Sequence, residues 1–228
     1  MMAWNPSTAL RRQAPSRTPT PPGPRAISPD VDPALQTRLE TLIAEGWALW
    51  ERFDADVRDQ EFHSFVAADY DAVLRVLLAQ RGPSLRFLEL GSATGVVAIM
   101  ADLLGYESYG IELDSGLVRR SRKLAAEFDS RARFVCGSFL PSGYRWRPKE
   151  PDGTIETLGS GPSAYLELGF ALDDFDVVFG FPWGGEDAMM LDLMRMYGRP
   201  RALLLLYGVN DGVTAYRGGR KVSLTSNS

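Results

Sequence analysis

An α/β fold built on a doubly wound, mostly parallel sheet is what this sequence predicts. From residue 85 onward, short apolar runs of strand length alternate with segments of helical periodicity. The first of these runs ends in a glycine loop that opens directly into a helical pattern. The material suffices for one sizeable core, since 45% of the 228 residues are hydrophobic and 11% are aromatic.

The first residues do not contribute to that core. Pro15, Pro19, Pro21, Pro22, Pro24 and Pro29 recur at irregular spacing among serines and arginines. Such a stretch cannot sustain helical hydrogen bonding and has little apolar surface to bury. Residues 1–31 are therefore expected to be a disordered Pro- and Arg-rich tail, and they lack the apolar centre of a secretory signal. Asp32-Pro33 predicts a helix start, an N-cap followed by proline at the first helical position. Leu35, Leu39, Leu42, Ile43, Trp47, Trp50 and Phe53 follow at helical spacing. A second helical pattern runs through Phe65, Tyr70, Val73, Leu74, Leu77 and Leu78, and Arg81-Gly82-Pro83 ends it. Residues 32–80 thus read as a helical segment ahead of a core over residues 81–218.

Within the core, Leu85–Leu90 reads as the first strand and Val96–Leu104 as a helix closed by Gly105. Tyr109–Leu113 is the expected second strand. Asp114 or Ser115 caps a helix that runs to about residue 128, and Ala132–Cys136 forms the third strand. A long connection over residues 137–172 precedes a fourth strand (Asp176–Phe181), a helix (Glu186–Tyr197) and a fifth strand (Ala202–Tyr207). Right-handed crossovers then predict the order 3-2-1-4-5, with room for one short further strand and a frayed end over 219–228. In the long connection, Tyr144-Arg145-Trp146-Arg147 and Thr154-Ile155-Glu156-Thr157 flank Pro151-Asp152-Gly153, a hairpin turn. A connection of this length in a compact domain is expected to be functional, as a lid or a substrate wall.

Composition narrows the function classes. The single cysteine, Cys136, excludes an internal disulfide and a multi-cysteine zinc site, and the single histidine, His63, excludes a site that needs two histidine ligands; no metal is expected. There is no apolar run long enough to span a bilayer. The net charge is −4, and Arg11, Arg12, Arg17 and Arg25 all fall in the tail, so the remaining body is more acidic still. That body lacks the basic footprint of a general nucleic-acid binder. A cytoplasmic protein with a small-molecule partner, and neither nucleic acid nor membrane, is the expectation.

The chemistry is carried by Phe87-Leu88-Glu89-Leu90-Gly91-Ser92-Ala93-Thr94-Gly95. Gly91 permits a sharp turn and close approach of backbone to a ligand, and Gly95 keeps the helix start near the strand; the free amides there favour polar or anionic ligand groups. A dinucleotide site wants three glycines around a pyrophosphate, and an acid beside the phosphates repels them. This loop lacks the middle glycine and carries Glu89. It suits a ligand without phosphate groups. Gly110-Ile111-Glu112 ends the second strand, where a carboxylate can accept hydrogen bonds from both hydroxyls of a ribose. Asp114 then takes the role of helix cap.

Glu-Leu-Gly-Ser-Ala-Thr-Gly resembles the first motif of the class I, Rossmann-like S-adenosylmethionine-dependent methyltransferases. The resemblance implies S-adenosyl-L-methionine as cofactor, lying over the carboxyl ends of the first two strands. It places Glu89 near the cofactor's amino-acid portion, partly through water. The loop through Gly91, Ser92, Ala93 and Gly95 wraps the methionine moiety. Glu112, with Leu113 beside it, receives the ribose. After the third strand, Cys136-Gly137-Ser138-Phe139 has Ser138 where many members carry the acid that holds the adenine amino group, and Phe139 is placed to pack on the ring. From Phe62 to Tyr216, about two thirds of the chain, the sequence also resembles a bacterial group within that class, sharing a Phe-x-x-x-Asp-Tyr lead-in (Phe65, Asp69, Tyr70) and a Pro-Trp loop.

That loop, Phe179-Gly180-Phe181-Pro182-Trp183-Gly184-Gly185-Glu186, stands where the class faces its substrate. It partly resembles the Asp/Asn-Pro-Pro-Tyr motif of adenine amino methyltransferases. Pro182 and Trp183 match the last two positions, whereas Gly180 replaces the acceptor for a target amine. Trp183 either stacks on a flat or cationic substrate or braces the loop. Tyr70, Phe181, Pro182 and Trp183 are the substrate-side candidates. Methyl transfer from a sulfonium is a direct displacement that needs alignment and exclusion of water, not a dedicated catalytic side chain. For a hydroxyl acceptor a base would help, and His63, Glu186 and Asp187 are candidates, the last two equally suited to the first turn of a helix. The leading expectation is a small-molecule methyltransferase; the alternatives are a protein or RNA methyltransferase and a non-catalytic Rossmann-like partner subunit.

Overall fold

The computed structural model describes residues 31–57, 66–146, 161–182 and 186–224. Helix α1 (Pro33–Val57) starts at the Asp32-Pro33 signal: the Asp32 carboxylate accepts from the amides of Ala34 (2.6 Å) and Leu35 (3.4 Å), both left free by helix geometry. Helix α2 (Tyr70–Gln80) starts later than its apolar pattern suggests. Asp69 caps it by accepting from the Ala72 amide at 2.9 Å, which fixes the first helical residue at Tyr70; Phe65 lies outside the described residues.

The core then runs β1 (Arg86–Leu90), α3 (Val96–Leu103), β2 (Glu107–Glu112), α4 (Ser115–Glu127) and β3 (Arg133–Cys136). It continues through α5 (Tyr165–Leu168), a 3-10 turn (Leu172–Asp174), β4 (Val177–Gly180), α6 (Glu186–Tyr197), β5 (Leu203–Gly208), β6 (Gly212–Arg217) and β7 (Arg220–Val222). The sheet order is 3-2-1-4-5-6-7, with β1 to β5 parallel and β6 and β7 antiparallel. This is the Rossmann-like architecture expected, and the strand order reverses between β1 and β4, where α/β sheets bind ligands.

The parallel strands β1 to β5 are largely buried on both faces, so their alternation of side chains distributes two cores. Phe87, Val177, Phe179, Leu203, Leu205 and Tyr207 join one core, which α1 to α4 cover through Leu39, Leu42, Trp47, Leu77 and Ile99. Leu88, Leu90, Ile111, Val178, Leu204 and Leu206 join the other, beneath α5 and α6. On β1, Glu89 follows the parity of Phe87 and so points to the α3 side.

Two expectations are corrected. The chain was expected to fray from residue 219, with one further strand after the fifth; instead a second hairpin strand follows. Gly218 and Gly219 adopt φ of +57° and +74° between the paired residues Arg217 and Arg220. A two-residue Gly-Gly loop of this hand matches the twist of a hairpin, and that signal extends the sheet to Val222. Residues 225–228 lie outside the described residues. The second correction concerns the connection over 137–172. The Pro151-Asp152-Gly153 hairpin lies outside the described residues, but the described flanks are not a lid. They build the second core: Leu168 and Leu172 are buried, and Phe170 packs edge to face with Tyr109 and with Phe175 just beyond the connection, centroids 5.1 and 6.1 Å apart. Tyr144 is buried as well and donates from its hydroxyl to Asp192 on α6 at 3.2 Å.

If this segment is core, Leu168→Ala will destabilise the protein by about 2–5 kcal/mol in urea unfolding. A loss below about 1 kcal/mol, the size expected of a surface loop, would return the segment to the periphery.

Candidate active site

The loop between β1 and α3 is set by hydrogen bonds from both sides. The amides of Gly91 and Ser92 both donate to the Ile111 carbonyl of β2 at 2.9 Å, and the Gly95 amide closes the turn on the Ser92 carbonyl at 2.6 Å. Gly95 has φ +78°, and a Cβ there would lie 2.5 Å from the Phe134 ring and 2.7 Å from Ser121. No other residue fits that position without moving β3 or α4. Gly91 differs: at φ +73°, the place a Cβ would occupy has no atom within 4 Å. The loop is therefore packed shut beneath Gly95 and open beside Gly91.

Glu89 and Glu112 flank this loop and are both buried. The Glu89 carboxylate accepts from the Ala98 amide at 2.9 Å, one of the free amides in the first turn of α3. Burial holds its pKa well above the usual carboxylate range; the Ala98 amide opposes that shift and the Glu112 charge adds to it. Glu112 accepts from the Ala93 amide at 2.9 Å through one oxygen and from the Asp114 amide at 2.8 Å through the other. Its pKa is also raised by burial, against the pull of these amides. Asp114 caps α4, accepting from Gly116 and Leu117 at 2.6 and 3.0 Å, so the two neighbouring acids divide their roles as the sequence suggests. Within the loop, the hydroxyls of Ser92 and Thr94 are buried and have no hydrogen-bond partner among the described residues.

The other expected cofactor residues lie along the same sheet edge. Leu113 presents an exposed apolar side chain beside Gly161. Ser138 is buried and organised inward: its amide donates to the Pro162 carbonyl, its carbonyl accepts from the Ala164 amide, both at 2.9 Å, and its hydroxyl accepts from the Leu140 amide at 3.2 Å. Phe139 packs against the second core.

On the acceptor side, Phe181 and Pro182 are half-buried at the carboxyl end of β4. Trp183 and His63 lie outside the described residues. Tyr70 is not at an open face. It is buried behind the loop, edge to face with Trp47 at 5.3 Å, and burial together with the nearby Glu89 charge raises its phenol well above the usual value. Glu186 is buried at the start of α6, whereas Asp187 is exposed. One residue here escaped the sequence reading. Tyr207, at the end of β5, meets Phe181 edge to face at 4.8 Å, and its phenol oxygen accepts from the Asp69 amide. Its signal was positional: it is the last apolar residue of a parallel strand, at the edge where ligands bind.

Among the described residues no cluster of His, Cys, Asp and Glu is arranged to hold a metal ion, and no helix is long and apolar enough to cross a membrane. Clefts of about 430 Å³ between α1 and α4 and about 190 Å³ between α6 and the β5–β6 pair contain none of the loop residues.

No family model matches the chain. It is 28% identical over 125 residues to a protein-L-isoaspartate O-methyltransferase of Pelodictyon phaeoclathratiforme, covering 54% of each chain. It is 28% identical over 120 residues to a ribosomal protein L11 methyltransferase of Thermus thermophilus, covering 50% of this chain and 46% of the other. The chain thus spans about half the length of the curated relatives it matches. Among solved structures it is similar to an RNA methyltransferase from Salinibacter ruber in complex with S-adenosyl-L-homocysteine (19% identity, 62% of this chain and 76% of that one, TM-score 0.46). It is also similar to a precorrin-6y C5,15-methyltransferase from Geobacter metallireducens (17% identity, 66% and 70%, TM-score 0.42). In its sheet order and its Glu-Leu-Gly-Ser-Ala-Thr-Gly loop the chain resembles the class I, Rossmann-like S-adenosylmethionine-dependent methyltransferases, and both curated relatives are named methyltransferases.

Proposed function

We propose that the protein transfers a methyl group from S-adenosyl-L-methionine to a small-molecule acceptor. The observation that carries this reading is the pair of buried carboxylates, Glu89 and Glu112, on either side of a glycine loop at the point where the strand order reverses. The donor set fits the cofactor. Among the described residues the site offers two carboxylates and no cation, which suit an ammonium, a sulfonium and a ribose diol and repel the phosphates of a dinucleotide. The open space beside Gly91 and the unpartnered Ser92 and Thr94 hydroxyls leave room and hydrogen-bonding capacity for a polar ligand.

The cofactor supplies a methyl group already activated on sulfur. Glu89 and the loop through Gly91, Ser92, Ala93 and Gly95 hold the amino-acid end, Glu112 accepts from the ribose, and Leu113 offers an apolar surface to the base. Ser138 and Phe139 border the adenine end. Phe181 and Pro182, with Trp183, form the wall on which the acceptor is aligned, and Tyr70 acts from behind the loop by packing. The catalytic contribution is alignment of the nucleophile with the methyl and exclusion of water. A protein acceptor is the second reading, favoured by the two curated relatives, both named for protein substrates.

Calorimetric titration of the purified protein tests the cofactor. We expect saturable binding of S-adenosylmethionine and S-adenosylhomocysteine, weakened roughly a hundredfold by Glu112→Ala, as removal of hydrogen bonds to a charged acceptor implies. A folded protein that binds neither compound refutes the proposal.

Glu89→Gln separates stability from binding. The glutamine keeps an acceptor for the Ala98 amide and removes a buried charge. Because the folded carboxylate titrates above its unfolded counterpart, its cost to stability is absent below the unfolded value and grows as pH rises through the folded one. The variant will therefore be more stable than the wild type at neutral pH without ligand, the gap closing towards acid, while its affinity for S-adenosylhomocysteine falls. Equal stability at all pH values, measured by thermal unfolding, would show that Glu89 carries no buried charge.

A further inference from the structure

We infer that Glu112 is a positioning residue for the loop itself, holding Ala93 in a left-handed conformation independently of any ribose contact. Ala93 has φ +45°, a region that residues with a Cβ adopt only when their surroundings hold them there. Its amide donates to one Glu112 oxygen at 2.9 Å while the Asp114 amide takes the other at 2.8 Å, and the Leu113 amide also donates to the carboxylate. A carboxylate offers about four lone-pair sites and no donor, so it serves all three amides at once. The strand end acts as one anchor: the Ile111 carbonyl takes the amides of Gly91 and Ser92, and the next residue's carboxylate takes that of Ala93. Three successive loop amides are thus held by two successive residues of β2.

This assignment distinguishes a carboxylate from its isostere. In Glu112→Gln, one of the two engaged oxygens becomes an NH₂ group, and either the Ala93 or the Asp114 amide then faces a donor. The Asp114 amide is adjacent in the chain and moves with the side chain, so the longer-range contact to Ala93 is the one lost. Glu112→Asp keeps the charge but shortens the reach by one methylene, which also releases Ala93 and serves where the glutamine variant does not fold.

The test is amide hydrogen exchange on the full, ligand-free chain. Exchange at Ala93 is expected to accelerate at least tenfold in Glu112→Gln or Glu112→Asp, with β1 and β5 amides unchanged. Unchanged protection at Ala93 overturns the inference. A second arm rests on the proposed function: the loss of S-adenosylhomocysteine affinity caused by Glu112→Gln, measured by calorimetry, should be at least threefold smaller when Ala93 is replaced by glycine, which enters the left-handed region freely. An equal loss in both backgrounds assigns Glu112 to ribose contact alone and overturns the inference. Should the wild type bind no S-adenosylhomocysteine, the functional proposal fails and the exchange experiment still decides the role of Glu112.

Discussion

The hydrogen bond from the Ala98 amide to Glu89 constrains more of this molecule than its size suggests. Parity along β1 places Glu89 on the α3 side, with Phe87, under a layer of apolar helices. A carboxylate there needs a donor, because burying it unsatisfied is costly. The donor available is a free amide in the first turn of a helix. α3 must therefore begin within a few residues of β1 and aim its N-terminus back at the strand. The five-residue loop from Gly91 to Gly95 is the chain's solution, and the tight seat of Gly95 against Phe134 and Ser121 leaves little latitude for another.

The rest of the edge follows from that fixed helix. β2 lies beside β1 with Leu90 opposite Ile111, which brings the Ile111 carbonyl beneath the loop and Glu112 beside it. Asp114 relieves Glu112 of capping α4, so the latter's carboxylate turns to the loop. On the other side of the reversal, β4 and β5 deliver Phe181 and Tyr207 to the same edge, and the Asp69 amide ties the start of α2 to Tyr207. One end of the sheet thus holds acids and free hydroxyls beside β1 and β2, and aromatic surface beside β4 and β5.

How much of this was legible in the sequence depended on whether the signal was local. The strands of the parallel sheet, the caps at Asp32 and Asp114 and the glycine loop are written in adjacent residues, and each stands where its pattern placed it. The start of α2 was misjudged because apolar periodicity continues upstream of its cap at Asp69. β7 was missed because a Gly-Gly pair near a polar terminus reads as fraying unless the pairing of the flanking residues is known. The connection after β3 was taken for a lid or a substrate wall because its apolar residues, among them Leu168 and Leu172, are scattered and acquire a partner only in the second core. Tyr70 was read as facing substrate, and its burial comes from Trp47, a residue of a different helix. For the connection and for Tyr70 the deciding contact lies far away in sequence.

The two carboxylates explain why such a site is built at a cost to stability. Each is harder to ionise than a solvated acid, chiefly because it is buried, and among the described residues each charge is met by backbone dipoles and not by a cation. A site that neutralised Glu89 or Glu112 with its own lysine or arginine would be more comfortable without ligand and less receptive to a cationic one. Leaving the charges to amides alone keeps the loop shaped while reserving the electrostatic partner for what binds. The same reasoning accounts for Ser92 and Thr94, whose hydroxyls lie buried within the loop with no partner among the described residues. The loop is held by its backbone, and its side-chain polarity remains available to a ligand.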